Sequence, residues 1–180
     1  MDIVAHTLWA GAAVAMLGRR RPVSRRTVVE TLSLAALPDI LHLVPIVAWW
    51  VFGGGSFAAV QGYVTAMQGQ EPALPHLVQL WSHNLHCVMH SAPIAGMVTL
   101  AVWAACRAFW IPLLGWWSHI VIDVFTHSAD YYAVPVLYPF TERGFDGIAW
   151  NTPWFLALNY AALAMVGLWL AFTRRRPYGQ

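Results

Sequence analysis

Five apolar runs, each near membrane-crossing length, constrain this chain more than any other feature. They cover residues 3–17, 27–52, 81–106, 110–127 and 154–172. A span needs about 20 apolar residues. Inside hydrocarbon the backbone must satisfy its own hydrogen bonds, which favours helices. The chain is therefore predicted to be all-α: a polytopic membrane helix bundle with about five transmembrane helices, forming a single domain over residues 1–180. Composition agrees, with 59% hydrophobic and 10% charged residues against about 25% charged in a soluble domain. No basic–aromatic patch of the kind that binds nucleic acid is present. Asp2 stands where a signal peptide would carry positive charge, so no cleaved leader is expected. Cys87 and Cys106 fall in one predicted helix about 28 Å apart, beyond the reach of a disulfide.

The cations set an expected orientation. Arg19, Arg20, Arg21, Arg25 and Arg26 fill the first connection, Arg107 ends the third run, and Arg174, Arg175 and Arg176 end the fifth. Short loops rich in arginine stay cytoplasmic. Five spans put all three groups on that side, with the N-terminus outside and the C-terminus cytoplasmic. Arg143 is the exception. Residues 53–80 are read either as a short interfacial helix, on the spacing of Phe57, Val60, Val64 and Met67 with Gln61 and Gln68 among the polar positions, or as a polar loop.

Within the fourth run lies His119-Ile120-Val121-Ile122-Asp123-Val124-Phe125-Thr126-His127. Residues four apart share a helix face, so His119, Asp123 and His127 form one polar ridge. Ionisable groups at membrane depth are costly and mark function. Others match their level. At 1.5 Å per residue from the arginine edge, His6 and Asp39 lie about 20 Å up, His119 about 18 Å, Asp123 about 24 Å, His90 about 25 Å, His127 about 30 Å and His86 about 31 Å. Asp39 shares its face with His42, and Pro38 and Pro45 are expected to kink that run and free carbonyls near Asp39. Pro93 is expected to weaken the third run just after His90.

Four runs thus bring imidazole and carboxylate to one level. His6, Asp39, His86, His90, His119, Asp123 and His127 are the candidate ligands of a divalent metal, zinc first, with manganese or iron also suited. That number fits two or more ions. Paired metals activate water and clamp both oxygens of a phosphoryl displacement. A site opening outward from the membrane points to a lipid or lipid-linked phosphate as partner. Asp123 and His127 are the expected catalytic groups, with His127 shuttling a proton. Arg143 is the candidate phosphate-binding residue. The chain has no H-E-x-x-H, no G-x-S-x-G and no P-loop.

Taken in order, "MDIVAHTLWAG", "LPDILH", "HCVMHS", "GWWSHIVIDVFTHS", "YPF" and "DGIAWN" resemble the YdjM-like family of predicted inner-membrane metal-dependent hydrolases. The resemblance spans most of the chain except residues 53–80, and "SHIVIDVFTHS" is its most specific block. It implies a multi-pass protein of the bacterial inner membrane, a metal site and hydrolysis. A fainter similarity runs to zinc-dependent phospholipase C. By that analogy His6, Asp39, His90, His119 and Asp123 hold metal. Two other functions remain open on the residues alone. One is a haem b electron carrier with axial histidines such as His86 and His119. The other is a metal transporter or sensor, for which only Glu30 and Ser33 supply polar groups below the site.

Overall fold

The computed structural model describes residues 1–66, 70–130 and 133–173. Among them the chain is all helical: α1 (Ile3–Gly18), α2 (Arg25–Phe52), α3 (Phe57–Thr65), α4 (His76–Met89), α5 (Ala92–Cys106), α6 (Leu113–Thr126) and α7 (Pro153–Phe172). The expected Met67 and Gln68 positions and the Arg174, Arg175 and Arg176 cluster lie outside the described residues.

The expectation of about five spans is corrected. Among the described residues two helices, α2 and α7, are long and apolar enough to cross a membrane, or three if the bent pair α4–α5 counts as one crossing. α1 and α6 are shorter apolar helices of 16 and 14 residues, and at about 1.5 Å per residue each falls short of a roughly 30 Å core. The third run is not one helix, because α4 and α5 meet at a 61° bend. The sequence at the bend explains it. Ser91 caps α5 by accepting from the Ile94 amide at 3.1 Å, and Pro93 occupies its first turn, where a missing N–H costs nothing. α2, by contrast, stays a continuous 28-residue helix through Pro38 and Pro45.

α2 is the hub, packing on α1, α4 and α6, while α1 also meets α6 and α7. The tightest approach is α6 against α2. A Cβ at Gly115 would collide with the Thr31 carbonyl oxygen and come within 3.1 Å of the Ala35 amide nitrogen. Only glycine lets these backbones come so close. Ala95, Leu113, Trp116 and Ile120 form one buried cluster beside this contact. The Trp116 indole donates to the Met89 carbonyl at 2.6 Å, satisfying one orphan acceptor at the end of α4. Many large apolar side chains face outward, among them Val121, Phe125, Leu158, Met165 and Leu168, each more than half exposed. Apolar surface of that extent suits a lipid environment.

The 127–152 connection folds back over the end of α6. The Gly147 amide donates to the His127 carbonyl at 2.8 Å, Ile148 to Phe125 at 3.0 Å and Trp150 to Thr126 at 2.8 Å. A Cβ on Gly147 would strike the Phe125 and His127 carbonyl oxygens, so this cap also requires glycine. The same connection reaches the α4–α5 bend, where the Ala92 amide donates to the Val136 carbonyl at 2.9 Å.

Candidate metal centre

α6 delivers two groups from successive turns of one buried face: His119 and Asp123, both fully buried. α2 presents Asp39 from the turn after Pro38, with its side chain 15% exposed. α4 ends at His90, the C-cap residue, fully buried at the bend. One ligand atom from each of Asp39, His90, His119 and Asp123 lies within 4.8 Å of all the others.

The separations test whether an ion fits. A tetrahedral ion with bonds of about 2.1 Å holds its ligand atoms about 3.4 Å apart. His90 Nε2 and His119 Nε2 are 3.0 Å apart. Asp123 Oδ2 is 3.1 Å from His119 Nε2 and 3.3 Å from His90 Nε2. Asp39 Oδ1 is 3.6 and 3.7 Å from the same two nitrogens. These edges bracket the tetrahedral value.

The hydrogen bonds behind the ligands point the same way. His119 Nδ1 meets the Ala35 carbonyl at 2.7 Å, and His90 Nδ1 meets the His86 carbonyl at 2.8 Å. A carbonyl only accepts, so each Nδ1 carries the proton and donates. Each Nε2 of the neutral ring is then a lone pair, and the two lone pairs face each other. A cation between them resolves that repulsion. Backbone carbonyls that fix ligand tautomers are the usual outer shell of a metal-binding histidine. Asp123 is oriented in the same manner. Its Oδ1 takes the Met1 amino group and the Thr126 hydroxyl, the latter at 3.3 Å. Its Oδ2 is buried without a hydrogen-bond partner and faces the two nitrogens.

The remaining expected residues lie around these four. His6 is buried, stacks on His119 with centroids 3.8 Å apart, and brings Nε2 to 2.9 Å from Asp123 Oδ1. His127 is the C-cap of α6, in extended backbone. Its Nδ1 sits 3.1 Å from the Asp123 carbonyl and 3.6 Å from Oδ1. His86 stacks on His90, with centroids 4.1 Å apart. Arg143 is exposed on the 127–152 connection, and none of the contacts closing the centre involves it. His42, which shares a face with Asp39, stands beside His86 with centroids 5.6 Å apart. The i, i+3 spacing from Asp39 was its signal.

Two cavities flank the bundle. One of about 280 Å³ lies between α1, α2 and α6, and one of about 710 Å³ between α1, α2 and α7. Neither is lined by the four ligands. The open side of the centre is instead Asp39, with His42 and His86 partly exposed beside it. No protein-family model, curated protein or solved structure matches this chain.

Proposed function

We propose that this protein is a membrane-embedded metal-dependent hydrolase, a phosphoesterase acting on a lipid or lipid-linked phosphate at the outer face of a bacterial inner membrane. One observation carries the reading. Four ligand atoms, two from α6 and one each from α2 and the end of α4, converge at tetrahedral spacing, with both imidazoles already held in the metal-binding tautomer. A bound divalent ion of this kind supplies Lewis acidity and lowers the pKa of water. The resemblance to the YdjM-like hydrolases supports the same chemistry.

The chain's own residues take defined parts. Asp39, His90, His119 and Asp123 hold the ion. His127, whose Nδ1 lies 3.1 Å from the Asp123 carbonyl, is the residue assigned to the proton shuttle. Arg143 grips the substrate phosphate from the connection that covers the end of α6. Exposed apolar surface on the helices keeps the opening beside lipid. Between His90 and His119, facing nitrogens 3.0 Å apart leave no slot for a haem.

A metal transporter or sensor is the second reading, favoured by the 280 Å³ cavity. It lies between α1, α2 and α6, and its lining includes Arg20 and Ser118, the chain neighbour of His119. Vesicle flux assays with zinc and manganese separate the two readings.

The main test uses detergent-purified protein with short-chain phospholipids and polyprenyl phosphates. Phosphate or phosphoester release that disappears together with bound metal in His119→Ala and Asp123→Ala is expected. Retention of both metal and activity in these variants overturns the proposal.

A further inference from the structure

A second group of imidazole and carboxylate lies on the open side of the first. Asp39 sends Oδ1 toward His90 and His119. Its other oxygen, Oδ2, is buried with no hydrogen-bond partner. One turn along α2 stands His42, whose ring meets the Pro38 carbonyl. Buried polar atoms are rarely left unpaired, and each such case asks for a missing partner.

Ring geometry identifies what the partner is. Two imidazoles on one tetrahedral ion hold their centroids roughly 5 Å apart. The first centre gives an internal standard, because His90 and His119 are 4.9 Å apart at 61°. His42 and His86 repeat it at 5.6 Å and 86°. The other neighbouring pairs differ. His86 and His90 lie 4.1 Å apart at 32°, and His6 and His119 lie 3.8 Å apart at 23°. The His86 and His90 centroids, at 4.1 Å, are closer than that spacing, which separates the two rings between different ions.

We infer that Asp39 Oδ2, His42 and His86 bind a second divalent ion, with the Asp39 carboxylate bridging it to the first. This rests on the reading of the first centre as a metal site. Carboxylate-bridged pairs sit about 3.5–4 Å apart. The second ion has three protein ligands and faces the partly exposed side. Three protein ligands leave an open position for substrate, so the substrate phosphate meets the second ion beside the first.

The test is metal stoichiometry by mass spectrometry on the detergent-purified full chain equilibrated with zinc, and electron paramagnetic resonance after loading with manganese. Two ions per wild-type chain are expected, with exchange-coupled manganese. His42→Ala and His86→Ala should each retain one ion and show an isolated-ion spectrum. His42→Gln keeps size and polarity, and should lose the same ion with unchanged helical circular dichroism. One ion in wild type, or two in His42→Gln, overturns the second site. Phosphoesterase activity with a single ion would refute this inference and leave the hydrolase reading standing. Two ions without activity on any phosphate substrate would do the reverse.

Discussion

Gly115→Ala probes the contact on which the centre depends. The new Cβ would collide with the Thr31 carbonyl oxygen and sit 3.0 Å from the Thr31 carbonyl carbon and 3.1 Å from the Ala35 nitrogen. These are backbone atoms of α2 and cannot swing aside. Restoring ordinary contact distances requires α6 to part from α2 by about 1 Å. His119 Nδ1 is 2.7 Å from the Ala35 carbonyl, and a shift of that size takes it past the limit of a hydrogen bond. Overpacking of this kind costs about 1–3 kcal/mol of stability. Loss of the partner that orients a ligating histidine costs about 10–100-fold in metal affinity. Chelator-competition titration in detergent reads the affinity, and thermal melting reads the stability. Gly96→Ala and Gly167→Ala are the controls, since their added Cβ atoms meet nothing within 4 Å. As helix-interior exchanges they should be neutral or stabilise by up to about 1 kcal/mol. If Gly115→Ala binds metal as tightly as the controls, the close packing of α6 on α2 does not position His119, and the account of the centre fails.

Two further outcomes follow from the same contacts. Stripping metal with chelator should lower the melting temperature, because His90 Nε2 and His119 Nε2 are left facing each other at 3.0 Å; readdition of zinc at about 100 times its Kd should restore about 2.7 kcal/mol, and a melt indifferent to chelation would contradict the centre. Trp116→Phe retains the ring's place in the core but removes the indole bond to the Met89 carbonyl. The expected loss is about 1–3 kcal/mol, from leaving a buried acceptor unpaired, and a melt unchanged from wild type would show that this bond does not hold α6 to the end of α4.

Much of the architecture was legible in the residues. Apolar runs gave helices, Pro93 marked the weak point after His90, and residues 53–80 held the helix α3. The spacing of His119 and Asp123 placed both on one buried face. The count of spans was misjudged for a local reason. Composition reports how apolar a run is, but the Ser91 cap that lets a new helix start at 61° is a matter of backbone direction.

The sequence alone determined height and angle, since helical periodicity fixes both for every residue within its own helix. It thereby gave His6, Asp39, His119 and Asp123 a common expected level, whereas the level counted for His90 assumed an unbroken third run that the 61° bend replaces. Rotation and separation between helices were decided by packing. Gly115 against Thr31 sets how near α6 comes to α2. Packing also chose which oxygen of Asp123 is held by donors and which is left to face the ion, and it stood His42 edge-on to His86. Those outcomes depend on contacts between residues far apart in the chain, such as His119 with Ala35, which no local pattern encodes.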